Sequence, residues 1–251
     1  MLDFPLIYCN GDSYSNENYH CSLKKNTYAH VVGNYYHGFT INNAITGSCN
    51  RRIIRSSVHD LIQQRQQNPT QHIIALIGLS FELRTELWND NNTNVINEQE
   101  SNFRPHRFTE MENWKERLLS SLPITKLSAN SFEQKFSEGR AYFYSPYAER
   151  INLMCDLVMF QALMEQMHIQ FLIFQSPIAE KLESEYLLDF FKKQLNPKNF
   201  FDFENFSFIE WCVQQKYVPL DFEDRPHIGH YGVDAHKAFA EKIIIPHLEQ
   251  K

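Results

Sequence analysis

Short apolar runs alternate along this chain with segments whose apolar residues recur at helical spacing. The runs are continuous, which is typical of strands buried on both faces of a parallel sheet. In such sheets, reactive residues lie just beyond the carboxyl ends of the strands. We predict four strands, at Pro5–Asn10, Phe39–Ala44, His72–Gly78 and His168–Gln175.

Helical periodicity occupies the intervals between these strands. Strands that alternate with helices predict an α/β protein, in which helices cover both faces of a mainly parallel sheet. The predicted helices are Thr27–Tyr36, Asn50–Gln67, Tyr147–Met167, Ala179–Leu195, Phe208–Lys216 and Val233–Leu248.

Residues 89–140 have a different character. They contain the polar run NDNNTN and several turn formers, and their best helical pattern covers Glu110–Leu119. We interpret them as an insertion within a single domain spanning residues 1–251. Several aromatic residues lie in and beside this segment, so we expect it to form a wall or lid over the site.

Composition narrows the classes of function. The net charge is −6, which argues against a protein that binds a phosphate backbone, so no nucleic-acid partner is expected. A chain of 251 residues with 14% aromatics can bury a core without a disulfide or a metal. The five cysteines show no CxxC spacing, which favours reduced thiols and no zinc site.

The first residues, MLDFPLIYCNGDSYS, have neither a basic region nor a long apolar run. We therefore expect no cleavable signal peptide. The longest apolar runs are shorter than the roughly 20 residues that span a bilayer, so no membrane partner is expected. The sequence thus predicts a cytoplasmic protein.

Two turns near the amino terminus carry candidate chemistry. Ser13 follows the first strand in Gly11-Asp12-Ser13, where a serine can expose its hydroxyl and its backbone N–H, or can instead cap a helix. Gly47 follows the second strand. A glycine there lets a backbone N–H approach a ligand oxygen, as an oxyanion hole requires, and it equally suits a turn with positive φ.

Two further candidates follow the third strand. Ser80, in Gly78-Leu79-Ser80, is placed to add a donor to the same oxyanion hole. Arg84 is a candidate for binding an anionic group of a substrate, although an ion pair is the alternative.

Histidines and aspartates cluster before the last predicted helix. A histidine there can act as a general base on a serine, with an aspartate that holds its tautomer. The spacing of the histidines also permits metal binding, without support from an acidic cluster elsewhere, and a solvated loop is the remaining alternative. The cluster comprises Asp224, His227, His230, Asp234 and His236.

Taken in order, these segments resemble the sequence blocks of the SGNH hydrolases, the GDSL-type esterases and lipases. Residues 11–13 resemble the nucleophile block, residues 42–47 the second block and residues 78–80 the third, while residues 224–227 match the final Asp-x-x-His. The resemblance covers the chain from residue 6 to about residue 245. It implies a three-layer α/β/α sandwich with flavodoxin-like topology, and no cofactor or metal.

The chain departs from the family pattern at two places. Ser80 stands where the family usually has asparagine, and Asn50 is the candidate that compensates for it. The last block also fits a second register, with His230 as the base and His227 where a carboxylate is expected. We favour His230, with His227 as the alternative, and assign the orienting carboxylate to Asp224. With His230 as the base, Asp224 would have to reach the imidazole from further away, and a Ser-His pair without a carboxylate is the alternative.

The resemblance implies a serine hydrolase that cleaves an ester bond, with Ser13 as the nucleophile. The N–H groups of Ser13 and Gly47, assisted by Ser80, would bind the oxyanion. The expected substrate is a small-molecule or glycan acyl ester, such as an O-acetyl group on a sugar. An acyltransferase on the same scaffold and a catalytically inactive binding module are the alternatives.

Overall fold

The computed structural model describes residues 4–81, 84–88, 103–107, 146–177, 186–201, 205–224 and 226–250. The strands are β1 (Leu6–Asn10), β2 (Phe39–Asn42), β3 (Ile73–Leu79), β4 (Arg84–Trp88), β5 (Phe103–Arg107) and β6 (Gln170–Gln175). The helices are α1 (Tyr28–Tyr35), α2 (Asn50–Gln67), α3 (Pro146–Gln166), α4 (Tyr186–Lys192), α5 (Phe208–Gln214), α6 (Val233–Phe239) and α7 (Ile245–Glu249). Short 3-10 turns cover Cys21–Leu23 and Pro226–Ile228.

The main sheet is parallel and has the strand order β2-β1-β3-β6. Leu6 of β1 lies opposite Phe39 of β2 on one side and Ile73 of β3 on the other. The chain therefore reverses its direction of travel across the sheet beside β1. In open parallel sheets, the crevice at the carboxyl ends of the strands on either side of such a reversal is where ligands bind.

Helices cover both faces of this sheet. Ile7 and Cys9 of β1 pack into one buried cluster with side chains of α1 and of the carboxyl-terminal helices. Leu6 and Tyr8 alternate with them and pack into a second cluster with α2 and α3. The arrangement is a three-layer α/β/α sandwich, which confirms the predicted fold class.

The helices form where apolar side chains recur on one side. In α3, Leu153, Leu157 and Phe160 line the side that faces the sheet, close to the predicted bounds of that helix. The last predicted helix, Val233–Leu248, is helical throughout but contains a π-helical turn at Ala240–Ile244. The ring of Pro246, which crowds the carbonyl of the preceding turn, accounts for this local change. No helix in the described ranges is long and apolar enough to cross a membrane.

A strand pair that the sequence pattern did not predict lies partly before and partly inside the predicted insertion 89–140. Strands β4 and β5 pair in antiparallel fashion, with Arg84 opposite Arg107 and Trp88 opposite Phe103. The predicted helix Glu110–Leu119 lies outside the described residues. The first part of the predicted helix Ala179–Leu195, up to residue 185, also lies outside them, and α4 lies within the rest. The single-domain organisation therefore stays a prediction.

Candidate active site

The turn after β1 is held from below by Asn10. Its side-chain amide donates to Ser57 Oγ at 3.0 Å and to Ile53 O at 3.2 Å, both on α2, while its carbonyl oxygen accepts from the N–H of Gly11 at 2.8 Å. A Cβ atom at Gly11 would lie 2.3 Å from Ser15 Oγ, so this close approach requires glycine. The turn is thereby fixed at the carboxyl edge of the sheet.

Ser13 at the tip of this turn meets His230, 217 residues away. The Oγ atom of Ser13 lies 2.9 Å from Nε2 of His230. On the other side of the ring, Nδ1 lies 2.9 Å from Oδ2 and 3.1 Å from Oδ1 of Asp221. Ser13 is 3% and His230 6% exposed, so these two side chains are largely shielded from water. Such a hydroxyl–imidazole–carboxylate array can move a proton from the hydroxyl to the ring.

The carboxylate on His230 is Asp221, which corrects the prediction of Asp224. Pro219 forms an antiparallel bridge with Tyr231, and Leu220 N–H donates to His230 O. This pairing places Asp221 beside His230, whereas Asp224 lies exposed on the surface. Asp221 is nine residues before His230, outside the three-residue spacing that the sequence block suggested. The sequence signal that could have found Asp221 was its position in the acidic segment DFED, residues 221–224.

His227, the alternative base, lies elsewhere. Its side chain is 63% exposed, and its Nδ1 is 2.7 Å from Oε1 of Glu210 on α5. The third histidine, His236, is buried in α6, where its Nδ1 accepts from the N–H of Tyr28 at 3.4 Å. Burial lowers the pKa of His236 to about 3, so this imidazole is neutral. The three histidines thus have separate partners and do not form a shared metal site.

Hydrogen bonds set the charge of Asp221. Burial alone would raise the pKa of its carboxyl. The N–H of His230, the Tyr19 hydroxyl and the imidazole of His230 outweigh that effect and hold the pKa below its usual value. The backbone N–H of His230 donates to Oδ1 at 2.7 Å, and the Tyr19 hydroxyl donates to Oδ2 at 2.6 Å. Asp221 is therefore an anion at neutral pH. Nδ1 of His230 carries a proton and donates it in a hydrogen bond to the Asp221 carboxylate.

Two tyrosines that sequence reasoning missed lie against the imidazole. The ring of Tyr19 stacks on His230 with centroids 3.7 Å apart, and the ring of Tyr14 stacks on it at 4.6 Å. Both residues belong to the segment that follows Ser13. Their proximity in sequence to Ser13 was the available signal, but it does not indicate contact with a residue more than 200 positions later.

The turn that contains Gly47 is tied to the turn that contains Ser13. The N–H of Ile45 donates to Gly11 O at 3.1 Å, and Asn16 Nδ2 donates to Thr46 Oγ1 at 3.2 Å. Gly47 has a φ of 84°, a conformation that favours glycine. The positive-φ interpretation of this glycine is thus correct, and its position beside the Ser13 turn leaves the oxyanion interpretation open.

Ser80 and Asn50 form hydrogen bonds with other groups of the protein, which corrects the prediction that the Ser80 hydroxyl is an oxyanion donor. The Ser80 hydroxyl donates its single proton to Oδ2 of Asp12 at 2.8 Å, so that proton is not directed at a substrate oxyanion. The Asn50 side chain accepts from Ser80 N–H at 2.7 Å and donates to Ser80 O at 3.2 Å, and the residue is only 7% exposed. Asn50 therefore holds the end of β3, and because its amide has a second hydrogen, its role in substrate binding stays a prediction. Arg84 begins β4, and its side chain lies outside the described part of the chain.

No protein-family model and no curated protein sequence matches the chain. Among solved structures, it is similar to the psychrotrophic esterase EstA from Pseudoalteromonas sp., solved with monoethylphosphonate as inhibitor. The identity is 9%, 98% of this chain and 97% of that chain are covered, and the TM-score is 0.44. It is also similar to a protein from Parabacteroides merdae described as a GDSL-like lipase, with 11% identity, 99% and 97% coverage and a TM-score of 0.41.

Proposed function

We propose that this protein is a serine hydrolase that cleaves an ester bond. One observation carries the proposal: Ser13 Oγ lies 2.9 Å from Nε2 of His230, whose Nδ1 lies 2.9 Å from Asp221. The first distance is within the range in which a general base can take a hydroxyl proton. The second keeps Nε2 unprotonated and ready to accept, because the proton on Nδ1 is donated to the carboxylate.

In the proposed first step, Ser13 Oγ attacks the acyl carbonyl as its proton passes to Nε2 of His230. The C–O bond to the alcohol then breaks, and the imidazolium returns the proton to the leaving oxygen. In the second step, water attacks the acyl-serine, His230 takes a proton from the water, and Ser13 leaves with that proton. Acid–base help of this kind contributes about 10²–10⁴-fold to the rate.

The oxyanion that forms on the carbonyl oxygen in each step needs hydrogen-bond donors directed at that oxygen. We assign these to the backbone N–H groups of Ser13 and Gly47. The hydrogen bond from Ile45 to Gly11 supports this assignment, because it ties the second turn to the first. Removal of one such donor typically costs about 3–4 kcal/mol of transition-state stabilisation.

A small-molecule or glycan acyl ester remains the proposed substrate, with O-acetyl as the preferred acyl group. The low exposure of Ser13 and His230 supports a short acyl chain, because little of either side chain is open to a bulky group.

The experiment compares Ser13→Ala with Ser22→Ala on p-nitrophenyl acetate and longer p-nitrophenyl esters. Ser22 is a matched control because its hydroxyl also contacts a histidine, His20, at 2.8 Å, but on the exposed surface. We expect Ser13→Ala to lose about 10³-fold or more in kcat and to lose labelling by a fluorophosphonate probe, with Ser22→Ala unchanged.

Unchanged turnover in Ser13→Ala would overturn the proposed role of Ser13. Folded parent protein that neither turns over the esters nor reacts with the probe would favour the binding module. Transfer of the acyl group to added alcohols in preference to water would instead favour the acyltransferase.

A further inference from the structure

The imidazole of His230 lies between two tyrosine rings. The Tyr19 ring makes an angle of 21° with it at a centroid distance of 3.7 Å, and the Tyr14 ring an angle of 18° at 4.6 Å. Two rings this close and this nearly parallel to the imidazole cannot share one of its faces without overlapping. They therefore cover opposite faces, and we call this arrangement of Tyr14, His230 and Tyr19 the aromatic clamp.

Tyr19 also contacts the carboxylate. Its hydroxyl donates to Oδ2 of Asp221 at 2.6 Å, while the backbone N–H of His230 occupies Oδ1. The hydroxyl of Tyr14, by contrast, donates to Ile228 O at 3.1 Å, in the segment just before His230. Tyr19 is thus the one clamp residue whose hydroxyl reaches the acid and whose ring reaches the base.

The segment that carries Tyr19 is itself anchored. The N–H of Tyr19 donates to Asn16 O at 3.3 Å, which closes a turn. Within that turn, Glu17 Oε2 lies 3.1 Å from Nε2 of His30 on α1. The backbone that carries Tyr19 is therefore held by contacts that do not involve His230.

We propose that Tyr19 is a positioning residue for the Ser13–His230–Asp221 array. Its ring supports the imidazolium that forms when Ser13 gives up its proton, and its hydroxyl orients the Asp221 carboxylate toward Nδ1. Aromatic faces attract cations, and the attraction strengthens where water is excluded, as it is around His230. This inference rests on the proposed function, since the imidazolium forms only if His230 acts as the base.

The two actions of Tyr19 are separable because they shift the pKa of His230 in opposite directions. Without the hydroxyl, more of the negative charge of Asp221 acts on the imidazole, so the pKa rises. Without the ring, the imidazolium loses one supporting face, so the pKa falls. The titratable groups that face His230 are Asp221, the two phenols, the Ser13 hydroxyl and His236, whose own pKa a charged His230 lowers.

The experiment titrates His230 by NMR in the parent, Tyr19→Phe and Tyr19→Leu proteins, with its signal assigned by its loss in His230→Asn. We expect Tyr19→Phe to raise the pKa of His230 by about half a unit, with kcat near that of the parent. We expect Tyr19→Leu to give a pKa below that of Tyr19→Phe, and a kcat on a short ester about tenfold lower than that of the parent. The acidic limb of the profile of kcat/KM against pH should follow the same order.

Tyr35→Phe is the matched control. The hydroxyl of Tyr35 also donates a hydrogen bond to a carboxylate, that of Glu249. Tyr35 is the last residue of α1, which ends at the edge of the sheet opposite to the one that carries Ser13. It should leave the pKa of His230 and kcat unchanged.

Equal His230 pKa values in the parent and Tyr19→Phe would overturn the role of the hydroxyl, even if Tyr19→Leu does not fold. A fall in kcat without any pKa difference between Tyr19→Phe and Tyr19→Leu would overturn the role of the ring. The NMR titration needs no turnover, so failure of this inference is distinguishable from failure of the Ser13→Ala test.

Discussion

Replacing Asp221 with asparagine removes the charge beside His230 and preserves the size of the side chain. The native carboxylate accepts from three donors: Nδ1–H and the backbone N–H of His230, and the hydroxyl of Tyr19. An asparagine has one acceptor oxygen and a donor NH₂ group. One of these three donors must therefore face another donor, or the imidazole must change its tautomer.

The change of tautomer is the costly outcome. If the asparagine NH₂ donates to Nδ1, the ring proton moves to Nε2, which then points at Ser13 Oγ and cannot accept its proton. The lost charge also removes a hydrogen bond to the imidazolium worth about 1.5–3 kcal/mol. Together we expect kcat to fall on the order of 10³-fold, or about 4 kcal/mol. The free energy of unfolding should change less, because the Asp221 side chain is 27% exposed to water.

The assay is kcat and kcat/KM for p-nitrophenyl acetate hydrolysis at pH 7 to 9, with unfolding by urea as the check on stability. Asp224→Asn is the matched control, since it makes the same chemical change at the exposed aspartate of the sequence block. It should retain the parental kcat. If Asp224→Asn lost as much activity as Asp221→Asn, or if Asp221→Asn kept parental kcat, the assignment of the acid from the structure would be wrong.

Two further predictions concern stability and the second turn. The pKa of His236 is lowered from 6.5 to about 3 by burial, so the unfolded chain takes up a proton below about pH 6.5 that the folded protein refuses. The free energy of unfolding should therefore fall as the pH drops, and this residue should contribute about 2 kcal/mol of that fall at pH 5. Urea titrations of His236→Phe should show a shallower dependence of the free energy of unfolding on pH. The same pH dependence in His236→Phe and in the parent would contradict a neutral, buried His236. Gly47→Ala places a side chain at a φ of 84° and should lower the free energy of unfolding by about 1–2 kcal/mol. It should also lower kcat in the protein that remains folded, whereas parental kcat would speak against Gly47 as an oxyanion donor.

The local pattern of the sequence was sufficient for the sheet and its edge. Continuous apolar runs predict buried parallel strands, and β1 and β6 lie within two residues of their predicted bounds. The carboxyl ends of parallel strands share one edge, so Ser13, Gly47 and Ser80 could be placed near one another without coordinates. The alignment of the chain with the last sequence block of the family favoured His230 as the base. The structure shows the contact between His230 and Ser13.

The partners of the polar side chains were decided only by the tertiary structure. Asp221 displaced Asp224 because a bridge between Pro219 and Tyr231 sets which acid lies opposite His230, and a spacing rule contains no information about that bridge. The hydroxyl of Ser80 donates to Asp12, 68 residues away, and the local spacing of the sequence contains no information about that contact either. Burial of apolar surface is nearly non-directional and is written into local periodicity, whereas a hydrogen bond requires two groups within about 3 Å and at a suitable angle, which depends on the path of the whole chain.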